Sequence, residues 1–147
     1  MSERQTLLVE LGKKLKLIAK ELWLKHGEVS SCISPALDQV LMVVGSEGQI
    51  NVKHLATLLR ITPGAVTQHI DALEKAGMLA RVMNKTDRRE VMVSLTRKGR
   101  GPLKQIRKAN LELLDEAFRN LDDGELATFV ELITKVSAKY VNKEQTR

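Results

Sequence analysis

The chain has 147 residues, 43% of them hydrophobic, and a formal net charge of +6, which is enough for one domain with a real core. Its single cysteine excludes an intramolecular disulfide framework and fits a reducing cytosol, so a cytoplasmic protein is expected. Polar residues break every apolar run well before the 18 or so residues of a membrane helix, and the first residues lack the apolar core of a signal peptide.

Taken in order, Leu7, Leu8, Leu11, Leu15, Ile18 and Leu22 recur as one stripe of an amphipathic helix over 3–27, close to a heptad seam. Ser2 and Gln5 stand at capping-box spacing before it, and Gly27 marks its stop. Residues 27–34 read as a polar loop. Pro35 opens a second helix through Val44. Its face of Leu37, Leu41 and Val44, with Val40 and Met42 beside it, is broad enough to be the hub of the core. Gln49-Ile50-Asn51 reads as a short strand.

The stretch from Asn51 to Arg100 changes character twice. Val52, Leu55, Ala56 and Leu59 form one face of a short helix that Asn51 caps. Arg60-Ile61 leaves room only for a tight turn. Thr62-Pro63 then restarts the chain as an N-cap followed by proline at the first helical position. Val66, Ile70 and Leu73 point inward, and Ala76-Gly77 closes the helix with glycine left-handed. Gly64, Ala65, Thr67, Gln68, Asp71 and Lys75 point outward. Thr67 and Gln68 offer hydrogen bonds of the kind that read base edges, or else line an ordinary solvated face. His69 lies at the edge of the inward stripe. Asp71 is expected to pair with Lys75 at i,i+4.

After Gly77 the period becomes two. The runs 78–83 and 91–95 flank a basic, turn-rich tip, Asn84 to Glu90, as in a hairpin. Two helices, a turn and a basic hairpin make a winged helix-turn-helix, a unit that places a helix in a DNA groove. Thr96 should cap a long helix reaching about Asn120. Pro102, unable to donate to the Lys98 carbonyl, predicts a kink or a first turn offset from the rest. Leu103, Ile106, Asn110, Leu113 and Ala117 continue it as a seam. Asp122 and Glu125 form a second capping-box pair before a last helix with Leu126, Phe129, Val130, Ile133, Val136 and Tyr140 on one side. The tail from Asn142 is polar.

The set of motifs resembles the MarR family of transcriptional regulators over nearly the whole length. It comprises Leu55-Ala56, Thr62 to Thr67, Leu73 to Leu79, Asp87-Arg88-Arg89 and Val93 to Arg100. That resemblance implies a mainly α fold with a small β-hairpin wing: one MarR-like domain over 1–147. Residues 35–100 would be the DNA-binding lobe, with helices 3–27 and 103–141 for dimerisation. It implies a major-groove set of Thr62, Gly64, Ala65, Thr67, Gln68 and His69. It also implies a wing in which Lys85 and Arg88 meet phosphate and Arg89 enters the minor groove, oriented by Asp87. The partners implied are a second copy of the chain, pseudo-palindromic double-stranded DNA, and a small aromatic or phenolic effector. Trp23 and His26 are the candidate lining of an effector pocket, and Trp23 reads equally well as a dimer anchor.

Charge distribution agrees. Ten basic residues between Arg81 and Lys108 stand against two acids, Asp87 and Glu90, a surplus of eight in a chain of +6. The rest is therefore about −2. Positive charge concentrated on the wing and the start of the long helix suits phosphate, and no basic helix with an aromatic face points to a membrane. His26, His54 and His69 are scattered without ligand spacing, so no metal, cofactor or enzymatic activity is expected. Peroxide-sensing relatives carry their cysteine in the first helix, whereas Cys32 falls after it. The leading reading is a homodimeric, sequence-specific repressor relieved by a small ligand. The alternatives are a DNA-architectural protein of weak sequence preference, a redox-sensing regulator through Cys32, and a protein-binding scaffold whose charge only solubilises.

Overall fold

The computed structural model describes residues 2–29, 33–87 and 89–144. The elements are α1 (Glu3–Val29), α2 (Pro35–Glu47), β1 (Gln49–Asn51), α3 (Val52–Leu59), α4 (Pro63–Lys75), β2 (Leu79–Met83), β3 (Val91–Leu95), α5 (Arg100–Phe118) and α6 (Asp123–Glu144). The chain falls into two compact units, one ending at Leu113 and the other beginning at Leu114.

Local chemistry sets most boundaries in the first unit. Ser2 and Gln5 exchange bonds as a capping box, with the Ser2 N–H donating to Gln5 Oε1 at 2.7 Å and the Gln5 N–H to Ser2 Oγ at 3.3 Å. Helix α1 runs through Gly27 to Val29 rather than stopping there. A glycine inside a helix costs only about 1 kcal/mol relative to alanine, and the helical backbone continues through this one to Val29. Helix α2 also exceeds its expected end, continuing to Glu47 and stopping at Gly48, whose φ is 78°. The Ser34 hydroxyl caps its start by accepting from the Leu37 N–H at 3.3 Å.

Helix α2 is the hub, as its broad apolar face requires. Val40, Leu41 and Val44 are fully buried against Leu55 of α3 and Val66, Ile70 and Leu73 of α4. Burying each such side chain is worth about 1.5–3 kcal/mol. The three strands form an antiparallel sheet in the order β1-β3-β2. Ile50 pairs with Val93, and Val93 with Arg81, so these three share one face. Ile50 and Val93 seal the core from that face.

The second hairpin strand hands over to α5 through a turn, not directly. Thr96 Oγ1 donates to the Gly77 carbonyl at 2.6 Å, with the Met78 carbonyl also within 3.0 Å, and it accepts from the Gly99 N–H at 3.1 Å. The α-helix begins only at Arg100. Pro102 therefore sits in the first turn, where helix N–H groups have no intrahelical acceptor and its missing donor costs nothing. Gly99 is needed there because a Cβ would stand 2.3 Å from the Met78 carbonyl oxygen.

The second unit contains the end of α5 and all of α6. Asp122 and Glu125 form the expected capping box, at 2.9 and 3.0 Å. Phe118 and Phe129 pack with ring centroids 5.5 Å apart. Helix α6 extends through the polar tail to Glu144. Among the described residues, no helix is long and apolar enough to cross a membrane.

Candidate nucleic-acid interface

Helices α3 and α4 form the turn that the sequence leads one to expect. Asn51 Oδ1 accepts from the His54 N–H at 2.7 Å and caps α3. The chain then reverses at Arg60, whose φ of 54° is left-handed. Thr62 caps α4 by accepting from the Ala65 N–H at 3.2 Å, with Pro63 at the first helical position. At the far end Gly77, at φ 75°, closes α4. Its N–H donates to the Glu74 carbonyl and that of Met78 to Leu73, both at 2.8 Å. That is a Schellman closure, and it aims the chain into β2.

The outer face of α4 is free for contact. Thr62, Gly64, Thr67 and Gln68 are exposed, while Ala65 and His69 are half-buried at its margin. Among the described residues, apart from the adjoining backbone, no heavy atom lies within 4 Å of where a Cβ on Gly64 would stand. The Thr67 hydroxyl donates to the Pro63 carbonyl at 2.9 Å, which leaves the oxygen of this exposed residue able to accept.

Asp71 does not pair with Lys75. It meets Arg81 Nη2 at 2.5 Å, and Arg81 Nη1 bonds Glu74 as well. The sheet explains this choice. Arg81 stands on the face shared with Ile50 and Val93, the face toward the helices, so its fork reaches α4. Its hydrogen bond to Asp71 is the main influence raising its pKa further above an already high value.

In the wing, Asp87 Oδ1 accepts from the backbone N–H of Arg89 at 2.9 Å, which fixes the main chain at that arginine. Lys85, Asp87 and Arg89 are exposed at the tip. Arg88 lies outside the described residues, as does Cys32.

The basic surplus does not form one patch. Arg81 is spent on two carboxylates. Arg97, Lys98, Arg100, Lys104, Arg107 and Lys108 come after Leu95, which pairs with Leu79 at the end of the hairpin away from the tip. Five-residue strands separate that end from the tip by about 14 Å. Arg97 and Lys98, just past that end, are thus at the opposite end of the hairpin from Lys85 and Arg89 at the tip.

Trp23 is 75% exposed and His26 half-buried. A groove in the second unit, lined by Leu121, Glu125, Thr128, Phe129 and Leu132 among others, includes neither. Sequence reasoning missed the role of Arg81 and the asparagines Asn51 and Asn84 that bond Glu90. Arg81 and Asn51 find partners distant in sequence, and such pairs carry no local signal.

Comparison with known proteins places this geometry. The MarR family model matches residues 33–91. YwhA of Bacillus subtilis, an HTH-type transcriptional regulator, is 30% identical over 98 residues, covering 67% of this chain and 70% of YwhA. The multiple antibiotic resistance protein MarR of Salmonella typhimurium is 31% identical over 136 residues, covering 88% and 92%. The crystal structure of a mutant MarR from E. coli complexed with operator DNA matches with a TM-score of 0.70 at 28% identity, over 92% of this chain and 99% of that one.

Proposed function

Since the chain belongs to the MarR family of winged-helix transcriptional regulators, we propose that it is a homodimeric, sequence-specific DNA-binding repressor whose affinity for its operator is lowered by a small ligand. One observation carries this reading. A capped helix presents Thr67 and Gln68 on an exposed face, beside a hairpin with Lys85 and Arg89 exposed at its tip. Hydrogen-bonding side chains on such a helix suit base edges in a major groove. An arginine at a hairpin tip suits the concentrated negative potential of a narrow minor groove. The similarity to a protein crystallised on operator DNA supports the same assignment.

A two-fold dimer would present two copies of α4 about one helical turn of DNA apart, so the preferred site is a pseudo-palindrome. An aromatic or phenolic effector near Trp23 and His26 would act by population shift, favouring dimers whose recognition helices are spaced wrongly for successive grooves. The six cations at the far end of the hairpin and on α5 would raise the association rate by steering rather than by contact.

The test is fluorescence anisotropy of the purified protein on duplexes from its own upstream region and from random-site selection, with scrambled duplexes of equal length. We expect a preference of at least about a thousandfold, with two subunits per site. Gln68→Ala should weaken the preferred duplex selectively. Arg89→Ala should weaken every duplex and reduce the slope of log affinity against log salt by about one. Equal affinity for all duplexes would replace this reading with the architectural one.

A further inference from the structure

The base of the wing holds a carboxylate whose two oxygens are both committed. Glu90 accepts from Asn51 Nδ2 on Oε1 and from Asn84 Nδ2 on Oε2, the latter at 2.6 Å. Each asparagine is engaged at its other end too. Asn51 Oδ1 is the cap of α3. Asn84 Oδ1 accepts from the Thr86 N–H at 3.0 Å and from the Thr86 hydroxyl at 2.8 Å. The backbone closes the turn, with Asn84 N–H donating to the Glu90 carbonyl and Glu90 N–H to the Asp87 carbonyl, both at 3.1 Å. Asp87 in turn holds the Arg89 N–H. A continuous path of hydrogen bonds therefore runs from the first turn of α3, through Glu90, to the tip that carries Arg89.

The charge of Glu90 sits awkwardly on this surface. It is a carboxylate one residue from Arg89, and any phosphate near the tip would feel its repulsion. What it supplies instead is geometry. An acceptor with two oxygens bridges two amide donors whose own oxygens are already used, and no neutral side chain of that length offers the same pair of acceptors.

We propose that Glu90 is a positioning residue for DNA binding: it holds the wing, and with it Arg89, at a fixed attitude to the helix-turn-helix. This rests on the proposed DNA-binding function and adds to it a residue that touches no DNA. Charge and geometry then make opposite demands on one substitution. Glu90→Gln is nearly isosteric and removes a negative charge, so on charge alone it tightens DNA binding. As a positioning residue it loses one arm of the bridge, because the new NH2 cannot accept from an asparagine.

The experiment measures Kd on the selected duplex across a salt series for the full-length parent, Glu90→Gln, Arg89→Ala and the double variant, with amide exchange of the free proteins alongside. The expected result is binding about tenfold weaker for Glu90→Gln, with the salt slope reduced by up to about one as the wing contact loosens. The double variant should bind little worse than Arg89→Ala, since both act through the same contact. The Thr86 and Arg89 amides should exchange faster while the core amides keep their protection. Binding as tight as the parent's or tighter overturns the proposal. Weaker binding with core amides deprotected also overturns it, because the residue is then only structural. A parent that binds no duplex at low salt overturns the DNA reading and this proposal together, and that outcome is recognisable before any substitution is compared.

Discussion

Asp38 occupies a position in the core that chemistry would give to an apolar side chain. It is fully buried on α2, and neither carboxylate oxygen has a hydrogen-bond partner among the described residues. Burial raises its pKa above the ordinary aspartate value of 3.8, and the nearby His26 partly lowers it again. The folded chain therefore keeps this proton at pH values where the unfolded chain has released it. Its favourable contribution is present below the unfolded value and is lost as pH rises through the folded one. At neutral pH the ionised carboxylate is therefore less favourable in the folded chain than in the unfolded one. We expect Asp38→Asn to raise Tm at pH 7 by a few degrees, an effect of about 1 kcal/mol in a domain of this size. The gain should shrink toward pH 4. Thermal unfolding measured by circular dichroism at the two pH values checks this, and a lower Tm for Asp38→Asn at pH 7 would mean that the ionised carboxylate is compensated. Nothing in the sequence marks Asp38, because its burial is decided by tertiary packing. The caps are the opposite case. Ser2 with Gln5, Asn51, Thr62 and Asp122 with Glu125 were all legible because each bond spans three residues.

Helix α4 and strand β2 show where local reading stops. The position of α4 was legible from Thr62-Pro63 at one end and Gly77 at the other, and its inward face from a 3.6-residue period. Its electrostatics were not. A local rule joins Asp71 to Lys75, whereas the folded chain brings back Arg81, ten residues on, and gives it Glu74 as well. The same distance effect divided a basic run that looks continuous in sequence into a wing tip and a far-end cluster. If α4 meets DNA as proposed, Arg81 lets it carry two carboxylates without presenting their charge uncompensated to a polyanion. Arg81→Met should therefore change stability little, since exposed ion pairs are worth about 0–1 kcal/mol. It should weaken DNA binding about tenfold on all duplexes alike, a loss of about 1.4 kcal/mol. Adding Asp71→Asn to Arg81→Met should restore part of that affinity. An unchanged Kd for Arg81→Met would show that the two carboxylates lie out of range of the phosphates.

The stripes at the two ends of the chain leave apolar surface uncovered in a single copy. On α1, Leu11 is 50% exposed and Leu15 43%; on α6, Val130 is 56% and Val136 59%. The α1 stripe was legible from spacing close to a heptad seam and the α6 stripe from apolar residues on one side, but what covers them was not, because the same period serves a core and an interface. Exposed apolar stripes mark interaction surfaces, and the proposed homodimer would bury each of these two. The buried core of the first unit draws on α2 through α5 and the sheet and, among the described residues, takes nothing from α1. Charge placed on α1 should therefore separate subunits without unfolding the lobe. For Leu11→Glu with Ile18→Glu we expect a monomer by sedimentation velocity, with the hairpin and helix-turn-helix amides still protected from exchange. DNA binding should then fall far more than any single contact explains. Joining two half-site contacts in one particle is worth roughly a hundredfold to ten-thousandfold in avidity, and that gain disappears when the subunits separate. A double variant that remains dimeric would place the interface elsewhere. One that becomes monomeric yet binds the full operator as tightly as the parent would show that the two half-sites are not read as a unit.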